Sequence, residues 1–173
     1  NELDAHKVVN EYDQANLARV FLDFGELKNA PALARTVIEA REGYPIKNSE
    51  RLKFVLGRYL PAHKSNKILA QIYQAIRIEV NQEMDVLKEF LEQSLEILNP
   101  GGRLSVISYH SLEDRLVKRY IKNGMFEGEP ERDFFGNFEV LFKTIEKLII
   151  PSDAEIALNN RARSAKLRIA EKI

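Results

Sequence analysis

Residues 99–102 mark the change of pattern that most constrains how this chain can fold. Before them, from Ser65 to Leu98, apolar residues recur at helical spacing, which predicts one long helix or two nearly continuous helices. The four residues themselves, Asn-Pro-Gly-Gly, interrupt that helical pattern. After them, the compact run Leu104–Ile107 predicts a β-strand covered on both faces. The chain therefore joins a helical part to a sheet.

The first third of the chain predicts three short helices. Asp13 is placed to cap the first helix, and Gly25 to stop it. Pro31 suits the first turn of the second helix, and Asn48 or Ser49 opens the third. Helices of this length are unstable alone, so we expect them to pack against one another.

The strand at residues 104–107 is followed by a polar segment and then by another helical pattern. Ser111 with Asp114 predicts a capping box that opens a helix through Ile121. These elements place the chain in the α/β class, although it has too few strands for a complete sheet of that class. The later elements are predicted as a strand over 138–144, a short helix from Ser152 or Asp153 to Leu158, and a strand over 164–170.

A glycine-rich cofactor loop is missing from this pattern. In a doubly wound sheet, such a loop follows the first strand. The only comparable segment, Pro100-Gly101-Gly102, precedes a strand instead. We therefore assign no cofactor-binding residue in this chain.

Composition excludes several classes of site. The chain has no cysteine and only three scattered histidines, which removes disulfides and makes a metal centre unexpected. It has no run of about 18 apolar residues and no charged and then apolar leader, so we expect a cytoplasmic protein without a membrane partner.

Formal charge is zero, with 26 basic and 26 acidic residues, but two zones are strongly basic. No acidic residue falls between Arg51 and Ile78. Such zones can grip RNA phosphates, although a basic strand end is also ordinary surface that prevents aggregation. We place Phe54 and Tyr73 of the first zone in the core, where helical packing also favours an aromatic ring. The basic residues of the two zones are Arg51, Lys53, Arg58, Lys64, Lys67 and Arg77, and then Arg161, Arg163, Lys166, Arg168 and Lys172.

The segment Ser108–Arg115 follows the carboxyl end of the predicted strand, the edge where open α/β sheets bind ligands. Ser108 and His110 could there hydrogen-bond a base or position a substrate amine. The alternative is structural: Ser111 caps the helix, the acidic residues after it favour the helix dipole, and His110 satisfies a backbone group. The residues alone leave both interpretations open.

Four segments, in order and at compatible spacing, resemble one protein family. They are Tyr73–Glu83, Asn99–Leu104, Ile107–Arg115 and Arg161–Arg168. Along almost its whole length, the chain is similar to the RsmH family, formerly called MraW. Members of this family use S-adenosylmethionine to methylate the N4 amine of a cytidine in the decoding region of 16S ribosomal RNA.

The resemblance implies the carboxyl-terminal part of a class I, Rossmann-like methyltransferase sheet, preceded by an all-helical insertion domain. Residues 1–66 would form this insertion and help to recognise RNA, and residues 67–173 would form the carboxyl-terminal half of the methyltransferase domain. The family's cofactor loop has no counterpart here. S-adenosylmethionine would therefore be bound mainly by a portion amino-terminal to this chain.

The resemblance also implies roles for individual residues. Residues 108–111 would border the pocket of a flipped cytidine, and Ser108 and His110 would position its amine for in-line transfer. The partner would be 16S ribosomal RNA or the small ribosomal subunit. Tyr109 stands where phenylalanine is usual, and Asn160 where proline is usual. The residues expected to bind RNA are Lys64, Lys67, Arg77, Arg161, Arg163 and Lys166.

Three hypotheses follow from the sequence. The leading one is a fragment of an active methyltransferase that is inactive by itself. The second is a non-catalytic module that binds ribosomal RNA through its basic zones. The third is self-association, because the exposed edge of an incomplete sheet is adhesive.

Overall fold

The computed structural model describes residues 3–173, which form two compact units divided after Glu83. The fold is mixed α/β with a small three-stranded sheet, in agreement with the predicted class. The domain boundary predicted after residue 66 concerns the family's insertion and stays a prediction. The elements are α1 (Ala5–Glu11), α2 (Gln14–Asp23), α3 (Ala30–Gly43), α4 (Ser49–Val55), α5 (Ser65–Asn81), α6 (Glu83–Ile97), β1 (Arg103–Ser108), α7 (Ser111–Asn123), β2 (Phe142–Thr144), α8 (Asp153–Leu158) and β3 (Lys166–Lys172), with 3₁₀ turns at Gly57–Tyr59 and Asn160–Ser164.

The first unit packs α1 to α5 around one apolar core, and α1 is a helix that the pattern did not predict. The predicted helix starts are confirmed. The Asp13 carboxylate accepts a hydrogen bond from the Asn16 backbone N–H (2.7 Å), and the Asn48 side chain accepts one from Arg51 (2.9 Å). Fully buried core side chains include Val8, Leu17, Phe21, Leu33, Leu56 and Ile72.

The long helical pattern of residues 65–98 consists of two helices, one of the two alternatives that the sequence allowed. Gln82 separates them with a φ of +53°, in the left-handed region, and its N–H bonds to the Glu79 carbonyl oxygen. This arrangement ends α5 in the way that a glycine often does. Among residues 3–173, no helix is long and apolar enough to cross a membrane.

Phe54 and Tyr73 do not lie in the core, so that prediction is wrong. Phe54 is 77% exposed, and Tyr73 is 37% exposed. In the short helix α4, Leu52 enters the core, and a residue two positions later points to a different side. On α5, Ile72 is fully buried, and its neighbour Tyr73 is rotated away from that face.

In the second unit, β3 lies between β1 and β2 and pairs with both in antiparallel fashion. Leu104, Val106 and Ser108 of β1 are buried, whereas the alternate residues are exposed. The prediction that this strand is covered on both faces is therefore wrong, because within the described chain only one face carries a core. That core is built from Leu91, Leu104, Val106, Val117, Tyr120, Ile121, Phe142 and Ala170.

Two strands have bounds that differ from the pattern. Of the alternating residues 138–144, only Phe142–Thr144 pair with β3, so β2 is short. The last strand begins at Lys166, because the residues before it form a 3₁₀ turn. Strand β1 is at an edge of the described sheet. Self-association through that edge stays a prediction.

Candidate functional site

The amino terminus of α7 is capped one residue earlier than the sequence predicted. Nδ1 of His110 accepts a hydrogen bond from the Glu113 backbone N–H (3.4 Å). In return, the Glu113 carboxylate accepts from the backbone N–H of His110 (3.3 Å) and of Tyr109 (2.9 Å). The capping box is thus His110 with Glu113, and the predicted box of Ser111 with Asp114 is wrong.

Asp114 is instead a buried anchor between α7 and β3. It is 7% exposed and accepts hydrogen bonds from Nε of Arg168 (2.7 Å), Nη2 of Arg168 (3.2 Å) and Nζ of Lys166 (3.2 Å). Burial would raise the pKa of the Asp114 carboxyl, but the bonds from both cations outweigh it and hold this pKa below its usual value. This charge cluster fixes the start of β3 against the first turn of α7.

A groove of about 370 Å³ lies beside this anchor. Tyr109, His110 and Ser111 line one part of it, and residues 163–166 line another. The two segments meet because Ser108, the last residue of β1, pairs with Lys166, the first residue of β3. The structure therefore brings together the polar strand end and the basic tail, the two motifs that the sequence analysis singled out. Ile150, Pro151, Asp153 and Ile156 complete the lining.

The two predicted cytidine-positioning residues occupy different places at this groove. His110 lines it, and its Nε2 lies 3.2 Å from Oε1 of Glu113. Ser108 does not line it, because only 1% of this residue is exposed. The Ser108 hydroxyl is buried without a hydrogen-bond partner in the part of the chain that the structure describes. An unpaired buried hydroxyl is costly and needs an explanation.

The carboxyl-terminal cations that were expected to bind RNA divide into three cases. Arg163 is exposed, lines the groove and makes no ion pair with any described residue. Lys166 also lines the groove, but Asp114 shares its charge. Arg161 is exposed and lies outside the groove lining.

The other three predicted cations belong to the helical unit. Lys64 and Lys67 are exposed at the start of α5. Arg77 makes a two-pronged ion pair with Glu83, with distances of 2.8 Å from Nε to Oε1 and 2.9 Å from Nη2 to Oε2. Its charge is therefore already compensated within that unit.

Tyr109, which belongs to the segment expected to border the pocket, is an exposed aromatic side chain in the groove. Sequence reasoning missed the role of one other residue beside the groove, Asp114. Asp114 was treated as part of a helix cap. Its partners lie 52 and 54 residues further along the chain, so no local pattern could reveal its role.

Comparisons with known proteins agree with these motifs. A model of the MraW methylase family matches residues 1–173. The ribosomal RNA small subunit methyltransferase H of Flavobacterium johnsoniae is 76% identical over 173 residues, which are 100% of this chain and 57% of that protein. The same-named proteins of Flavobacterium psychrophilum and Bacteroides thetaiotaomicron are 73% and 48% identical, covering 99% and 98% of this chain and 59% and 56% of those proteins.

The chain thus spans little more than half the length of the curated relatives that it matches. The family match extends over every residue of the chain, and the first of these relatives is identical at three positions in four. This chain therefore belongs to the MraW methylase family.

Proposed function

We propose that this chain is the RNA-positioning part of a longer S-adenosylmethionine-dependent enzyme that methylates the N4 amine of a cytidine in the decoding region of 16S ribosomal RNA. The observation that carries the proposal is the groove that joins Tyr109 and His110 to Arg163. An RNA site needs cations that hold phosphates and groups that contact a base. This groove offers both, and the relatives bear the name of a ribosomal RNA methyltransferase.

In this proposal, the strand end receives the flipped base. The exposed ring of Tyr109 offers a surface for stacking. Because Nδ1 of His110 accepts the bond from Glu113, a neutral ring carries its proton on Nε2, which lies 3.2 Å from Oε1 of Glu113. Glu113 would thus hold the imidazole ring in place at the edge of the base. In this proposal the amine reaches past the groove lining to the Ser108 hydroxyl, which is buried at the end of β1 and has no partner in the described chain. Together these contacts would orient the amine toward the methyl group.

The basic tail would hold the neighbouring phosphates. Arg163 is the best candidate to bind a phosphate, because it is exposed, lines the groove and makes no ion pair with a described residue. Lys166 would contribute less, since Asp114 shares its charge. Arg161, Lys64 and Lys67 would contact the RNA backbone elsewhere.

The residues present do not fit the methyl donor. The turn that follows β1 begins with Tyr109 and contains no glycine. Gly102, which precedes β1, has a local reason for being glycine, because a Cβ there would lie 2.8 Å from the Asn99 carbonyl oxygen. We infer that another part of the longer protein binds S-adenosylmethionine.

Isothermal titration of this chain with S-adenosylmethionine is expected to show no binding. An exchange protein, in which this chain replaces the matching segment of the full-length Flavobacterium johnsoniae relative, is expected to bind the cofactor. Tight binding by the chain alone would contradict the inference. Failure of a correctly folded exchange protein to bind would contradict the proposed activity.

Replacing Arg163 with alanine is expected to weaken binding of single-stranded RNA and to reduce the slope of log affinity against log salt by about 0.7, the value for one lost phosphate contact on a single strand. Lys143→Ala is the control, because Lys143 is also exposed but lies on β2, paired near the opposite end of β3. If log affinity against log salt has the same slope for Arg163→Ala and for the unmodified chain, Arg163 does not contact an RNA phosphate.

A further inference from the structure

Three side chains on the surface of the helical unit form a cluster that the groove does not include. Tyr44 follows α3 and is 56% exposed, and Phe54 on α4 is 77% exposed. The Arg51 guanidinium carbon lies 5.9 Å from the centre of the Tyr44 ring and 5.5 Å from the centre of the Phe54 ring. A planar cation thus contacts two exposed rings.

The exposure of the Tyr44 and Phe54 rings is not explained by packing within the helical unit. The side chains at the α4 end that are buried in the core are Leu52 and Leu56. The Phe54 ring is nearly free of the core and lies between two shallow depressions of the surface. Nζ of Lys47 also lies 5.5 Å from the centre of the Tyr44 ring, so two cations flank that ring. Among the described residues, Arg51 is the only cation within such a contact of the Phe54 ring, which is the more exposed of the two.

The charge around the cluster is suited to a polyanion. Arg51 makes no ion pair with any residue in 3–173, and its buried Nε has no hydrogen-bond partner there. Arg58 lines one of the two depressions, together with Glu39, and Lys53 lines the other, together with Glu50. Two acidic residues therefore lie near the cluster, and four basic residues lie near it. Those cations are Lys47, Arg51, Lys53 and Arg58.

We propose that Tyr44, Arg51 and Phe54 form a stacking platform for unpaired bases of the RNA substrate. This inference rests on the proposed function and adds a second contact area to it, with base stacking rather than phosphate binding as its chemistry. Bases stack on aromatic rings and on arginine planes wherever they are unpaired, and a duplex hides those faces. The platform therefore selects single-stranded RNA.

A protein ligand fits these observations less well. An apolar protein surface would bury the rings but would also have to desolvate the guanidinium of Arg51 without pairing it. A nucleic acid satisfies both requirements, since its bases cover the rings and its phosphates pair with the cations.

The test uses the 173-residue chain and a single-stranded RNA that contains 2-aminopurine, whose fluorescence reports stacking. Phe54→Leu and Tyr44→Leu keep apolar side chains but remove the ring. We expect each variant to bind roughly 5- to 50-fold more weakly than the unmodified chain. The salt slope should not change, because no charge is lost. Affinity for a duplex of the same sequence should also be unaffected.

Phe135→Leu is the matched control, because Phe135 is another exposed ring and no cation–π contact involves it in residues 3–173. It should bind RNA as the unmodified chain does. Circular dichroism should confirm that all variants keep their helices, as expected for exposed positions.

Unchanged single-strand affinity in both Phe54→Leu and Tyr44→Leu would overturn the platform. A loss seen with assembled ribosomal subunits but not with naked RNA would also overturn it, since the partner would then be a protein. The Arg163→Ala variant separates the two proposals. If Arg163→Ala weakens binding while Phe54→Leu and Tyr44→Leu do not, the result supports the proposed function and contradicts the platform. If none of the three variants weakens binding, the result contradicts both proposals.

Discussion

Replacement of Asp114 by asparagine is expected to destabilise the second unit by about 2–3 kcal/mol. Loss of the carboxylate leaves Arg168 largely buried without its partner, and breaking a buried ion pair costs about 3–5 kcal/mol, reduced here because Lys166 is partly exposed. Urea denaturation followed by circular dichroism measures the change. Amide hydrogen exchange of β3 should show that the loss is local to this unit.

Glu171→Gln is the matched control for this change. Glu171 also pairs with an arginine, Arg103, but at 3.5 Å and with side chains that are 31% and 64% exposed, against 9% for Asp114. Exposed pairs of this kind contribute about 0–1 kcal/mol. Similar losses for the Asp114 and Glu171 variants would show that burial does not strengthen the Asp114 cluster.

The effect of Asp114 should also depend on pH. The carboxyl has its pKa lowered in the folded protein, so its contribution to stability is fully present above the unfolded pKa, near 3.8, and is lost as pH falls through the lower folded pKa. The stability difference between the unmodified chain and Asp114→Asn should therefore be constant near neutral pH and shrink in acid. A difference that stays constant into strong acid would contradict the pairing.

The second large effect is expected for Ser108→Ala in the exchange protein. Stability should be unchanged or higher by up to about 1 kcal/mol, because the variant removes a buried hydroxyl that has no partner in the described chain. The rate of RNA methylation should fall about 100-fold, if the hydroxyl is held for the substrate amine. Thermal denaturation and a methyl-transfer assay on small ribosomal subunits measure the two quantities.

Ser105→Ala is the control for Ser108, since Ser105 lies on the same strand but on its exposed face. It should leave the methylation rate near that of the unmodified exchange protein. A Ser108 variant with full activity would remove that residue from the site. An exchange protein that binds ribosomal RNA and S-adenosylmethionine but never methylates would favour the non-catalytic RNA-binding module.

Several features of the fold could be predicted because their causes are local. Asp13, Asn48 and Ser152 each cap a helix through the backbone N–H three residues ahead, and a hydrogen bond over that distance is visible in the sequence. The change from helical to strand pattern after residue 102 is local in the same sense. The family motifs are also continuous stretches of sequence.

The predictions that were wrong concern features whose causes are not local in the sequence. The helix cap after β1 was predicted one residue too late, because Asp114 is drawn away from the helix end by Lys166 and Arg168. Phe54 was placed in the core because its spacing allowed it, but the turn of a short helix left its ring in solvent.

The sequence by itself determined the order of the helices and strands after α1, the caps of α2 and α4 and the family to which the chain belongs. Only the tertiary structure decided which functional residues meet. The groove exists because Ser108 pairs with Lys166 across 58 positions of sequence, and the platform exists because the helical core leaves the rings beside Arg51 uncovered. Both depend on contacts between distant residues and on which face of an element is buried, and neither property is carried by local sequence.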